Sequence, residues 1–151
     1  MPEPSITIAY PDLNGEPWPL ECVRNPDYDC NAVAPVDPPY LEMLEMLVVV
    51  DVDDIQLQNP YVDGITKVEG QGHWHATLGA LAGYQPAYER STVIEASLLD
   101  LTLGTTRLTV SLQDNEHDDI AGANTTDSLE FELVRAADDC STLPADYCPD
   151  P

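Results

Sequence analysis

The segment GHWHATLG, residues 72–79, alternates polar and apolar side chains in the manner of a half-buried β-strand. Trp74 and the apolar residues at every second position after it fall on one face, which we expect to point into the core. His73 and His75 fall on the other face. Because the chain has only 3 histidines, this single strand places most of them side by side on one surface.

Further strands are predicted along the chain. The most apolar segment, LEMLEMLVVVDVDDIQLQ at 41–58, is ambiguous between a helical turn and a strand in its first half. Its second half, from Leu47 to Gln58, is rich in β-branched residues and predicts a strand with a bulge at Asp53–Asp54. The other predicted strands are SITIAYP (5–11), STVIEASLLDL (91–101), TTRLTVSLQD (105–114) and SLEFELV (128–134).

These strands are separated by turns that contain glycine and proline, and no convincing amphipathic helix or internal repeat lies between them. Several short strands at this spacing are typical of an antiparallel sandwich. The sequence therefore predicts an all-β, immunoglobulin-like antiparallel β-sandwich. A length of 151 residues suits a single domain, with a core over about residues 5–134, a proline-rich loop over 18–40 and a disulfide-stapled tail over 135–151.

The strand order of an immunoglobulin-like sandwich brings the third histidine to the other two. In that order the strands at 72–79 and 105–114 are antiparallel neighbours, and a buried tryptophan on the first of them is a frequent core feature. The start of one then lies beside the end of the other, where His117 has the outward parity if the strand continues without a bulge. His73, His75 and His117 are thus expected to meet at one end of the sheet.

Three imidazoles suit a tetrahedral zinc ion with one open position, and copper(II) also accepts them. We therefore predict one copper or zinc ion on the three histidines. Glu116 and Asp118 flank His117 and are interpreted as acceptors for an imidazole N–H rather than as ligands. The alternative is that the three are solvent-facing or hydrogen-bonded histidines with a purely structural role.

The charge balance excludes some functions. The chain carries 28 acidic residues against 5 basic ones, a formal net charge of −23. Binding to nucleic acid or anionic membranes requires clustered Lys and Arg, so we expect neither. Membrane insertion is not expected either, since no run of 18 apolar residues occurs. The charge suits solubility in a salty or extracellular medium; it would also attract cations and raise the pKa of an exposed histidine.

The four cysteines form two C-x7-C pairs, Cys22 with Cys30 and Cys140 with Cys148. An even count in an acidic, proline-rich chain indicates two disulfides and an oxidising compartment. The local pairs are favoured because each spans a turn-rich loop. A pairing that joins the two ends would constrain the unfolded chain more, and the spacing argues against a four-thiolate zinc site. We expect a secreted or periplasmic protein from which a signal peptide has been removed.

GHWHATL, TRLTVSLQDNEHDD and SLEFELV together resemble a group of uncharacterised secreted bacterial β-sandwich domains, immunoglobulin-like in fold. Their pattern is G-H-x-H on one strand and H-T-L-x-V-x-L-x-x-N-D-H on a later hairpin. The resemblance covers about residues 43–134, matches all three histidines, and implies fold and export rather than an activity. Two departures from the pattern matter: Arg107 stands before the leucine of the second motif, where the pattern has H-T, and Glu116 stands where it has aspartate.

The sequence alone is compatible with three functions. The first is an exported binding module for copper or zinc, whose protein partner is unknown. The second is a zinc-dependent hydrolytic or hydration enzyme, in which the metal activates water and Glu116 or Asp118 accepts the proton. Such a site needs a covered pocket, and the loop 18–40 or the tail 135–151 is the expected cover. The third is a structural or adhesive module that holds no metal.

Overall fold

In a computed structural model the chain folds into two β-sheets, and the structure describes residues 3–33, 37–79 and 81–149. The strands are β1 (Ser5–Tyr10), β2 (Trp18–Pro19), β3 (Glu21–Arg24), β4 (Tyr40–Asp53), β5 (Gln56–Leu57), β6 (Gln71–Leu78), β7 (Gln85–Ala87), β8 (Ser91–Ser97), β9 (Gly104–Gln113) and β10 (Thr126–Val134). Short 3-10 turns occur at Leu98–Asp100 and Cys140–Thr142. No helix within the described ranges is long and apolar enough to cross a membrane.

The two sheets are built around different strands. In the first, β4 pairs antiparallel with β1, β3 and β8. In the second the order is β2-β10-β9-β6, and both β5 and β7 pair with β6. The predicted neighbours, β6 and β9, are antiparallel as expected. The all-β sandwich is therefore confirmed, while the full immunoglobulin-like order stays a prediction.

The core lies between the sheets and is filled by alternate residues of the long strands. Trp74 is fully buried, and its indole Nε1 donates to the backbone carbonyl of Glu89 at 2.7 Å. This bond satisfies the one polar atom that the large ring brings into the core. The other buried core residues from β4, β6 and β9 are Leu44, Met46, Val48, Val50, Val52, Ala76, Leu78, Leu108, Val110 and Leu112. The core-facing side predicted for the strand at 72–79 is confirmed.

The segment 41–58 differs from the prediction in two ways. Its first half is strand throughout, because β4 runs without interruption from Tyr40 to Asp53. The predicted bulge within one continuous strand is wrong: β4 ends at Asp53, and Asp54 adopts a left-handed φ of 57°. The chain turns there, and the next strand, β5, pairs with β6 in the other sheet.

The preferred disulfide pairing is wrong. Cys22 is bonded to Cys140 and Cys30 to Cys148, each bridge joining residues 118 apart in sequence. The cause lies in the path of the tail, which returns to the start of β4. There the buried carboxylate of Glu42 accepts from the Arg135 guanidinium at 2.6 Å. The connectivity is the one that joins the two ends of the chain.

Candidate metal centre

The pairing of β6 with β9 places the first two histidines. His73 lies opposite Gln113 and His75 opposite Ser111, on the face of the sheet that points away from the core. Trp74, between them, is fully buried on the core side. The strand parity predicted from the sequence is confirmed, and it brings the two imidazoles next to each other.

The third histidine arrives by a different route from the one predicted. Strand β9 ends at Gln113, so His117 does not continue its parity. Residues 114–117 form a turn instead, closed by the His117 backbone N–H donating to the Asp114 carbonyl at 3.1 Å. His117 has a left-handed φ of 67°. This turn, rather than an extended strand, directs its side chain toward β6.

The three imidazoles converge as the sequence predicted. The Nε2 atoms of His73 and His75 are 2.9 Å apart. The ring centroids of His73 and His117 are 4.7 Å apart, and those of His75 and His117 are 5.8 Å apart. One ligand nitrogen from each residue lies within 4.8 Å of the other two. The group is compact enough to hold a single metal ion.

Two tyrosines cover the outer side of the cluster. The ring of Tyr84 stacks on His75 with centroids 3.8 Å apart and planes inclined by 10°. Tyr61 packs against His117 at 5.3 Å. With this cover His73 is 0% and His75 8% exposed, although both are on the outer face of the sheet. The loop 18–40 or the tail was expected to cover the site. The two covering rings come instead from the segment before β6, which contains Tyr61, and from the segment before β7, which contains Tyr84.

Asp114 organises the turn that carries His117. Its Oδ1 accepts from the backbone N–H groups of Glu116 at 2.8 Å and Asp118 at 3.1 Å. Lys67 contacts its Oδ2 at 3.0 Å. Burial disfavours the charged carboxylate, but these donors outweigh it and hold the pKa of Asp114 below its usual value. The turn is therefore fixed by an ionised side chain.

Asn115 ties the same turn to the strand and to the preceding loop. Its side-chain amide donates to the carbonyl of Thr66 at 2.9 Å and to the Gln71 side chain at 3.3 Å. Asn115 itself is 3% exposed. Sequence reasoning missed this residue and Asp114, although an Asp-Asn pair before a polar turn is a recognisable signal for side-chain-stabilised turns.

Burial keeps two of the imidazoles neutral. Loss of hydration, followed by repulsion from His75 and His117, lowers the pKa of His73 to about 4, against an opposing effect of Asp114. Burial and His117 likewise lower the pKa of His75 to about 4, with Asp119 opposing. The acidic surface was expected to raise the pKa of an exposed histidine, but these two are not exposed. At pH 7 both rings are therefore neutral, and each has one unprotonated nitrogen.

Unsatisfied polar atoms are concentrated at the cluster. Within the described residues, the buried side-chain nitrogen and oxygen atoms that lack a hydrogen-bond partner are Nδ1 of His73, Nδ1 of His117 and Oδ1 of Asn115. Native structures pair nearly all such atoms with a protein group, a water molecule or an ion. All three exceptions here belong to the histidines or to the residue that anchors their turn.

Glu116 and Asp118 are exposed on either side of His117. Their backbone N–H groups donate to the Oδ1 atom of Asp114 within the turn. The role predicted for their carboxylates, as acceptors for an imidazole N–H, stays a prediction.

Comparison with protein-family models, curated proteins and solved structures finds no match to this chain. The resemblance to secreted bacterial β-sandwich domains accordingly stays a prediction. What the fold and the site define is an all-β sandwich with a three-histidine cluster suited to a metal ion.

Proposed function

We propose that this protein is an exported metal-binding module that holds one copper or zinc ion through His73, His75 and His117. The observation that carries the proposal is the convergence of one nitrogen from each imidazole within 4.8 Å. Histidine is the most common protein ligand of both metals and binds through a neutral ring. The pKa values of about 4 for His73 and His75 meet that requirement at pH 7.

The cost of the arrangement supports a bound ion. A buried polar atom without a partner costs about 1–3 kcal/mol, and the cluster contains two such imidazole nitrogens, one on His73 and one on His117. A core or surface role for these residues would not require this cost. Metal coordination offsets this cost for each ring that binds through Nδ1, because binding free energy becomes folding free energy when the site forms only in the native state.

Export is supported by the covalent structure. Two disulfides, Cys22–Cys140 and Cys30–Cys148, are typical of proteins in oxidising compartments. The net charge of −23 raises the local concentration of cations around the protein. Both features favour a module that collects metal outside the cytoplasm.

Binding is favoured over catalysis by the position of a large cleft that lies beside the turn that carries His117. This cleft, of about 960 Å³, is lined by Ile55, Val68 and Ile120 among others, and by Lys67 and Asp114. Asp114 is shared with the surroundings of the metal centre, but the three histidines do not line the cleft. A hydrolytic zinc site needs substrate space at the metal itself.

The test is a metal titration of the tag-free protein after chelation. We expect about one copper or zinc ion per chain with better than micromolar affinity, and loss of binding in His73→Ala and His117→Ala. Thr77→Ala is the matched control, since Thr77 lies on the same strand and is exposed beyond the cluster. Absence of uptake in the unmodified protein would overturn the proposal, as would equal binding in all variants.

A further inference from the structure

Strand β8 forms an open edge of its sheet. It pairs with β4 on one side, and no strand pairs with its other side within the described ranges. The Val50 N–H donates to the Arg90 carbonyl at 2.9 Å, which fixes the phase of the antiparallel ladder. Because hydrogen-bonded and non-hydrogen-bonded pairs alternate, the even-numbered residues of β8 bond to β4. The odd-numbered ones, among them Val93 and Glu95, direct their N–H and C=O groups to the open side.

The other outer strands of this sheet are covered by the rest of the chain. On β1, the Ile6 N–H points away from β4 and donates to the Asn124 carbonyl at 2.9 Å. The Ile8 N–H donates in the same way to the Asp127 carboxylate at 2.8 Å. Strand β3 is joined to the tail through the disulfide of Cys22. No comparable contact bonds to the open side of β8 among the residues that the structure describes.

Strand β8 also lacks features that usually protect an exposed edge. Its sequence, STVIEAS, contains no proline or lysine, and its register with β4 continues without a bulge. An edge of this kind is a template for pairing with another chain. The strand is therefore available to an added segment.

The outer face of the sheet next to this edge carries an apolar pair and an acidic pair. Val93 lies opposite Leu47, and the two residues are 45% and 44% exposed. Glu95 lies opposite Glu45, and neither has a salt-bridge partner among the described residues. Like charges directly opposite each other in a sheet are destabilising. A Lys or Arg side chain from a partner would neutralise the acidic pair, while its aliphatic stem covers the apolar pair.

A groove lies on the inner side of the same edge, with a volume of about 260 Å³. The apolar residues in its wall are Ala76, Leu78, Leu81, Ala82, Ile94 and Ala96. Side chains along a strand alternate between the two faces of its sheet. An added strand would therefore place every second side chain in the groove and the others beside the acidic pair.

We propose that the open edge of β8 docks an extended segment of a partner protein in which Lys or Arg alternates with aliphatic residues. The segment adds a strand to the sheet. Main-chain hydrogen bonds supply affinity, and the alternating side chains supply specificity. A second copy of this chain fits less well, because its net charge of −23 would meet the same acidic edge. The edge belongs to the sheet that does not contain His73 and His75, so docking does not depend on a bound metal.

The test uses the disulfide-intact full chain and a fluorescent peptide of about nine residues that alternates lysine and valine, at about 0.15 M salt, where long-range attraction is screened. Two comparison peptides carry N-methyl groups on the backbone nitrogens of either the lysines or the valines. Methylation leaves the side chains and the charge unchanged but removes one set of strand donors. Because an added strand bonds to β8 through one set only, one methylated peptide should bind roughly tenfold or more weakly than the unmodified peptide, and the other should bind equally well.

Val93→Pro is the matched protein variant. It removes an N–H that points to the open side and takes no part in the ladder with β4, a position at which an edge strand tolerates proline. Val93→Thr keeps that N–H and is its control. We expect Val93→Pro to lose the unmodified peptide, Val93→Thr to retain it and Glu95→Gln to weaken its binding. Near-UV circular dichroism shows whether each variant is folded.

Equal binding of all three peptides, or equal weakening by both methylations, would overturn the proposal, because neither pattern is that of a paired strand. Absence of binding by the unmodified peptide would overturn it too. A dimer of the protein alone that Val93→Pro disrupts would assign the edge to a second copy instead. The peptide series is measured on the unmodified protein, so the test stands even if Val93→Pro does not fold.

Discussion

The ammonium group of Lys67 lies 3.0 Å from the carboxylate of Asp114 and joins the segment before β6 to the turn that carries His117. Lys67 belongs to the chain between β5 and β6, where Tyr61 also lies, and Asp114 begins the turn that presents His117. The Asp114 side chain is 8% exposed, so the carboxylate of this ion pair is shielded from solvent while the Lys67 side chain is exposed. The arrangement makes Asp114 the anchor of the third ligand.

Asp114→Asn should therefore weaken metal binding. The amide keeps one acceptor oxygen for the two backbone N–H groups, but it sets an uncharged NH2 donor against the Lys67 ammonium in place of Oδ2, so the turn around His117 loses its ion pair and gains a donor–donor contact. We expect the dissociation constant to rise about 10- to 100-fold, as is typical when a residue that orients a ligand is replaced. Lys67→Met should have a smaller effect, since it removes the ion pair without setting two donors against each other and leaves both backbone bonds to Asp114 in place. An unchanged affinity for Asp114→Asn, measured by competition with a chelator, would show that the turn needs no anchor.

The metal-free protein should lose stability as the pH falls below 6.5. The pKa values of His73 and His75 are lowered from 6.5 to about 4 on folding, so the unfolded chain binds more protons between these limits. The free energy of unfolding therefore has its full value above pH 6.5, where the rings are neutral in both states, and it declines as the pH falls toward 4. We expect the free energy of unfolding to drop by about 1–3 kcal/mol between pH 6.5 and 5, where most carboxylates are still ionised.

Denaturant titrations at several pH values measure this effect. The double variant His73→Gln/His75→Gln is the control, because it removes both titrating groups and should flatten the profile over that interval. A wild-type profile that is equally flat would mean that the two rings are hydrated in solution.

The disulfides should contribute to stability without affecting the metal centre. Each bridge closes a loop of 118 residues between the two ends of the chain. Loss of the Cys30–Cys148 bridge through the double alanine variant should cost about 2–5 kcal/mol. Metal affinity should be retained, because the site is built from β6 and the turn after β9. A large loss of affinity in the folded variant would show that the stapled tail supports the site.

The connectivity itself is open to direct mapping. Cleavage after Arg24 separates Cys22 from Cys30, and cleavage before Asp146 separates Cys140 from Cys148. Mass spectrometry of the unreduced digest should find Cys22 linked to Cys140 and Cys30 linked to Cys148. Peptides that link the local pairs would contradict the fold of the tail.

Gly72 should not tolerate a side chain. A Cβ at this position would collide with the backbone carbonyl oxygen of Gln113 and approach Ile55 Cδ1 at 3.1 Å. Gly72→Ala would therefore push β6 away from β9 immediately before His73, and overpacking of this kind costs about 1–3 kcal/mol. We expect lower thermal stability together with weaker metal binding, whereas Thr77→Ala should change neither. A normal melting temperature for Gly72→Ala would contradict the tight β6–β9 contact.

The sequence predicted the parts of the structure that depend on alternation. The face on which His73 and His75 lie, and the burial of Trp74 between them, follow from the two-residue period of a strand. The neighbouring position of β9 followed from the order of strands in a sandwich. These features were enough to predict that the three histidines meet at one end of the sheet, but not the route by which His117 reaches the other two.

Other parts depend on tertiary contacts without a local pattern. The side chain of His117 is directed toward β6 by the turn that Asp114 stabilises. The alternation of side chains along a strand does not predict such a turn. The cover from Tyr61 and Tyr84 comes from segments without periodicity. The pairing of Cys140 with Cys22 depends on the tail returning to β4, where Arg135 meets Glu42 from 93 residues away. Spacing between cysteines contains no information about that contact.

The most direct test of the metal centre is a crystal structure of the protein soaked in copper(II), with anomalous data collected on both sides of the copper edge. We expect one anomalous peak about 2.0–2.2 Å from a nitrogen of each of His73, His75 and His117. No peak between the three rings, or copper bound only at the acidic turns, would contradict it.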